Sequence, residues 1–184
     1  MNSPLLLFLS TTQSTKERMN MNVNWKDQHC GVHRASFLQV TESMPKVADM
    51  ILIDFPENTN NFTWDIKVHM LMPNQFPCIP NWHFDNVPRV NNAQDWDQVR
   101  TDLPMYLWIS GDPLTEFRNR EKINACEWIK FTQLDEHRGT MSNDFQWRGF
   151  IRATHKDILA PNESGSDVTR RHSQVYLDSS NFSW

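Results

Sequence analysis

Thr63-Trp64-Asp65-Ile66-Lys67-Val68-His69-Met70-Leu71-Met72 alternates with a period of two. Trp64, Ile66, Val68, Met70 and Met72 fall on one face, and Thr63, Asp65, Lys67 and His69 on the other. Successive side chains of a strand point to opposite faces, so this is a β-strand with one face toward a core. Similar short segments recur around it, separated by Pro and Asn. The strand pattern starts at about residue 47, with an apolar run over 47–55. Pro73, Pro77 and Pro80 make a rigid loop, and 81–87 reads as a short strand after it. Residues 105–110 are strongly strand-like and end in the turn signal Gly111-Asp112-Pro113. Residues 127–134 and 147–154 read as further core strands, and 174–177 as an edge strand. Residues 91–102 are a loop or a helical turn, and 114–125 is the one mid-chain helix candidate. Many short strands in one unit predict a mainly β sandwich or barrel, of which the double-sheet jelly roll is one form.

The chain has 184 residues, enough for one domain with a substantial core. Residues 1–35 are polar and rich in Asn, Thr, Ser and Met, and read as a loosely held, irregular N-terminal arm. Residues 36–184 read as a single domain. The net charge of −4 gives no basic footprint for bulk nucleic-acid binding. Three widely spaced cysteines, Cys30, Cys78 and Cys126, read as thiols in a reducing compartment. Leu5-Leu6-Leu7-Phe8-Leu9 is too short for a membrane span and lacks a basic lead and a cleavage pattern. A cytoplasmic protein with no membrane partner is expected. His29, Cys30 and His33 lie close together but lack a second ligand cluster, so they read as structural or incidental.

His83-Phe84-Asp85 carries the chemistry. On a strand, positions i and i+2 share a face, so one imidazole and one carboxylate stand side by side. His137 follows fifty-two residues after Asp85 and supplies a second imidazole from a distant strand. Two histidines and one carboxylate suit non-haem Fe(II), because three coordination positions stay open. His155 is a weaker rival for the third position. Farther on, Arg148, Phe150 and Arg152 share one face of their strand, and Gly149, Ile151 and Ala153 the other. Two arginines on a core strand call for anionic partners, and a bound dicarboxylate would supply one.

The order H-x-D, about fifty residues, His, about eleven residues, Arg resembles the Fe(II)/2-oxoglutarate-dependent dioxygenase superfamily. Its core is a double-stranded β-helix, a cupin-like jelly roll, here expected with a few short helices. Arg148-Gly149-Phe150-Ile151-Arg152-Ala153-Thr154 resembles the final-strand arginine pair of taurine dioxygenase-type members. The resemblance covers roughly residues 47–155. It implies that His83, Asp85 and His137 bind Fe(II) as the catalytic centre. It also implies that Arg148 anchors the distal carboxylate of 2-oxoglutarate, with Arg152 near the substrate. Arg152-Ala153-Thr154 fits an alternative anchor pattern, Arg-x-Ser/Thr, and Phe150 replaces the hydroxyl that would favour Arg148. Both anchors stay open.

The implied reaction couples oxidative decarboxylation of 2-oxoglutarate, with molecular oxygen, to hydroxylation of a small molecule or modified biopolymer. A nucleic-acid base hydroxylase or demethylase is not favoured, since the arginine-asparagine signature of that branch is missing. A non-catalytic jelly-roll binding or structural protein is the other alternative. Lys67 and His69 face either a pocket or solvent. Asn86 and Arg89 are candidates for a pocket mouth, and Trp82 and Trp128 for the core. Arg170-Arg171-His172 reads as a solvated run.

Overall fold

A computed structural model describes residues 23–28, 31–159, 169–170 and 176–177. Its longer strands are β1 (Gly31–Ala35), β2 (Phe62–Leu71), β6 (Met105–Ile109) and β10 (Gln146–His155). Short strands fill the intervals: β3 (Gln75–Phe76), β4 (Arg89–Val90), β5 (Ala93–Gln94), β7 (Thr115–Phe117), β8 (Ile129–Phe131) and β9 (His137–Gly139). Near the end lie β11 (Thr169–Arg170) and β12 (Tyr176–Leu177). Two helices, α1 (Phe37–Ser43) and α2 (Pro45–Asp54), separate β1 from β2.

The chain is mainly β, with several antiparallel sheets. The largest runs β11-β1-β2-β10-β6-β8, and separate pairs are β12-β3, β4-β5 and β7-β9. The alternating stretch is β2, at the centre of the large sheet, paired along its whole length with β10. The register sets Arg148 opposite His69, Phe150 opposite Lys67, Arg152 opposite Asp65 and Thr154 opposite Thr63. On the other side of β10, Arg152 faces Leu107. The arginine strand is therefore interior to the sheet, not an edge.

The two faces of this sheet differ. Trp64 and Ile66, Ile151 and Ala153, and Tyr106 and Trp108 belong to the larger core, with Val40, Val47 and Ile51 from the helices. Trp25 closes the same face over Gly149, where a Cβ would lie 2.3 Å from the indole. The opposite face carries Leu107 and Phe150 into a smaller cluster with Phe117 and Phe131. That face holds the candidate site.

Three expectations are corrected, and one helix had none. The run 47–55 lies almost wholly in helix α2, with Pro45 in its first turn and Val47, Ala48, Met50 and Ile51 buried. That spacing is helical, and a continuous apolar run hid it. Helix α1 carries a capping box between Ser36 and Gln39, a start signal readable from the sequence. The helix candidate 114–125 instead contains β7 and a turn, entered through Leu114 at φ +46. Residues 81–87 form no strand beyond one bridge at His83, because the chain turns at Asn86 (φ +56).

The end of the supposed arm is folded in: Trp25 is buried, and β1 pairs with β2. The rest of that arm falls outside the described residues, as do Leu5–Leu9, His29, Cys30, Arg171 and His172. Residues 91–102 hold the β4–β5 hairpin and a 3-10 turn over Trp96–Gln98. Among the described residues, no helix is long and apolar enough to cross a membrane.

Candidate metal centre

Backbone pairing brings the two histidines together. The His83 N–H donates to the His137 carbonyl at 2.9 Å, and the His137 N–H donates back at 3.0 Å. The ring centroids are 4.5 Å apart. The Nδ1 of His83 lies 2.8 Å from the carbonyl of Asn81, and that of His137 lies 2.9 Å from the carbonyl of Asp135. A carbonyl only accepts, so Nδ1 carries the proton in both rings and Nε2 is left as the ligating atom. Phe117 and Phe131 pack against the His137 ring at 5.3 and 5.8 Å.

Asp85 completes the set. His83, Asp85 and His137 each offer one donor atom, and these atoms lie within 4.8 Å of one another. His137 is buried, and the other two are half-buried. Two imidazoles and one carboxylate on one side of a common point fit a divalent transition-metal ion with open positions. The proton positions on Nδ1 are those such ligation requires.

Charges around the centre form a chain. Arg152 Nη1 donates to Asp85 Oδ2 at 2.5 Å, and Nη2 donates to Asp65 Oδ2 at 2.7 Å. Asp65 Oδ1 lies 2.5 Å from His33 Nδ1 and accepts the Arg34 N–H at 3.1 Å. Burial pushes the Asp85 carboxyl up, but Arg152 and His137 outweigh it and hold the group well below the usual range. Burial opposes charge on His137 as well, yet the Asp85 carboxylate lifts its pKa above the ordinary histidine value.

A cavity of about 110 Å³, partly open to solvent, lies beside the three ligand candidates. Lys67, Arg152, Cys78 and Thr115 supply its polar wall, and Leu107, Phe117, Phe131 and Phe150 its apolar one. Tyr176 also lines it.

Other candidates lie elsewhere. Arg148 is only 1% exposed and does not line this cavity. Its Nε donates to the Asp112 carbonyl at 3.2 Å, and its Nη2 donates to the Pro113 carbonyl and to Thr115 Oγ1. Burial lowers its pKa to about 10. Thr154 is buried and 3.5 Å from the Asn86 amide nitrogen, also away from the cavity wall. The His155 ring packs on Phe62, at the far end of β10. Arg89 holds the Asn92 carbonyl in the exposed hairpin. Trp128 packs partly buried against the larger core, whereas the guanidinium groups of Arg118 and Arg138 each lie 4.6 Å from the Trp82 ring. Thr115 and Phe117 carry no local signal of this role, because the sequence around β7 reads as helix. Asp65 carries none either, because only register sets it against Arg152.

His69 is buried, and neither ring nitrogen hydrogen-bonds a described protein group. Burial, with Arg148 and Lys67 nearby, pushes its pKa down to about 3. The unfolded chain therefore binds a proton at His69 near pH 6.5 that the folded chain refuses, so stability falls as pH drops below 6.5. In the window between about 4.5 and 6.5 the carboxylates Asp65 and Asp85 stay ionised in both states. His137, with a raised folded pKa, contributes a constant amount there. The expected slope from His69 is up to about 1.4 kcal/mol per pH unit. His69→Leu is expected to flatten it in urea titrations of metal-free protein at pH 6.5 and 4.5. Parallel slopes for the two proteins would refute this account.

Searches against protein-family models, curated proteins and solved structures found no match for this chain.

Proposed function

We propose that this protein is an Fe(II)/2-oxoglutarate-dependent oxygenase built on a double-stranded β-helix. The carrying observation is the convergence of His83, Asp85 and His137 at one wall of a cavity that also presents a lysine. The fold reading is supported by the run β2-β10-β6-β8 and, separately, by β7-β9 extended through the His83 bridge. A double-sheet jelly roll pairs two layers of this kind, here of four strands and of three segments, with its site between them.

His83, Asp85 and His137 would hold the iron. When bound, iron with 2-oxoglutarate and molecular oxygen supplies oxidation of a substrate C–H bond coupled to decarboxylation of the keto acid. The chain's own part is binding and exclusion. Lys67 offers its ammonium to the distal carboxylate, with Thr115 also on the cavity wall and Arg148 bonded to Thr115. Arg152, already shared by two carboxylates, serves Asp85 and not the keto acid. Phe117, Phe131, Phe150 and Leu107 keep water from the reacting centre and strengthen each charge interaction there. The substrate class is a small molecule or a modified biopolymer, and a reducing cytoplasm is the setting that keeps the metal ferrous.

Anaerobic titration with Fe(II) and 2-oxoglutarate is expected to raise a weak visible charge-transfer band and the melting temperature together. His83→Ala is expected to lose both. A folded protein indifferent to metal and keto acid would leave a non-catalytic β protein.

A further inference from the structure

We infer that Asp65 is a positioning residue of the metal centre: across the β2–β10 ladder it holds Arg152 so that only one oxygen of Asp85 is engaged and the other is left for a divalent cation. The inference rests on reading His83, Asp85 and His137 as a metal site, and needs nothing about 2-oxoglutarate.

The geometry carries it. Asp65 and Arg152 are direct register partners. The guanidinium is a rigid planar fork, and here its two terminal nitrogens are divided between two carboxylates, 2.7 Å to Asp65 and 2.5 Å to Asp85. The Arg152 hydrogen bond to Asp85 falls on Oδ2, and His137 Nε2 also approaches that oxygen, at 3.4 Å. Oδ1 accepts no hydrogen bond from the described residues. Asp65 is itself fixed from β1, by the His33 ring and the Arg34 N–H. Three adjacent strands thus set where the guanidinium points.

Without the Asp65 carboxylate, the buried fork has one acid left. Arginine and carboxylate prefer two parallel hydrogen bonds, so Arg152 would take both oxygens of Asp85 and compete with the metal. A neighbour that orients a ligand typically changes metal affinity by about 10- to 100-fold.

The test is titration with Co(II), followed by calorimetry and by the visible ligand-field spectrum. The wild-type protein is expected to bind one Co(II) and His83→Ala none. Asp65→Asn is expected to bind at least about tenfold more weakly, with a changed spectrum. The double variant Asp65→Asn/Arg152→Gln, which removes the competing cation, should bind at least about threefold tighter than Asp65→Asn, a rescue that lost packing would not give. Should Asp65→Asn not fold, His33→Ala removes the partly exposed β1 ring that holds Asp65, and about threefold weakening is expected there. Wild-type affinity and spectrum in Asp65→Asn, or in His33→Ala where that variant is read, or no rescue in the double variant, would overturn the inference alone. Failure of the wild-type protein to bind Co(II) would remove the metal centre and this inference with it.

Discussion

Under the proposed function, Lys67→Met is expected to weaken binding of 2-oxoglutarate by a factor on the order of a hundred while leaving metal affinity within about threefold, because the lost group would be a half-buried charge partner of the keto acid. Lys67 stands opposite Phe150 on the cavity face, with Nζ 5.2 Å from that ring. No carboxylate of the described residues lies within 4 Å of its ammonium. Burial and the Arg152 charge lower its pKa, so the site gains from an incoming anion. Removing one partner of a buried charge pair costs roughly 2–5 kcal/mol, and about 1.4 kcal/mol is tenfold in affinity. Methionine keeps the length and apolar contact of the stem, so the cavity wall stays filled. The arginines lack this freedom: Arg152 is held by Asp65 and Asp85, and Arg148 by two carbonyls and a hydroxyl. Calorimetry under anaerobic conditions, with Fe(II) present, reads the difference. Unchanged keto-acid affinity in Lys67→Met would return the anchor to the arginine strand.

That outcome bears on what sequence could tell. The alternation of β2 was legible because a period of two survives any tertiary context. Its polar face was ambiguous, since Thr63, Asp65 and His69 look the same whether they meet water or a second layer; all three are buried. His83 and Asp85 were legible as a pair, although their shared direction comes from a bridge and a turn instead of a strand. The arginines were legible as residents of one face, but not as unlike in role. Four residues along a strand is about 13 Å, so Arg152 reaches the centre while Arg148 caps the loop at Asp112–Thr115. Which acid meets which base is a matter of register, and register between strands eighty residues apart leaves no local trace. Helix α2 was legible in principle: buried positions 47, 48, 50 and 51 with Pro45 before them follow a helical period.

Trp64→Ala is expected to cost about 3–5 kcal/mol of stability, the largest single loss from the core. Trp64 is fully buried on β2, next in sequence to Asp65 of the charge chain. Phe37 and Phe55 pack on its ring at 5.5 and 5.0 Å, and Trp128 at 6.3 Å. Its Nε1–H donates to the Thr59 carbonyl at 3.3 Å, so truncation also strands an acceptor. The helices lie on one side and the strand's own neighbours on the other, so the hole cannot close without moving β2. A typical domain has about 5–15 kcal/mol in all, and the variant should unfold at much lower urea with an unchanged slope. Trp147→Ala is the internal control, because that indole is 42% exposed at the end of β10 and surface changes usually stay within about 0.5 kcal/mol. A loss below about 1 kcal/mol at Trp64 would mean that the helices do not close over this face as described. Because Trp64 and Asp65 share one strand, saturating Co(II) should restore part of the lost stability, as a ligand that binds only the folded chain must.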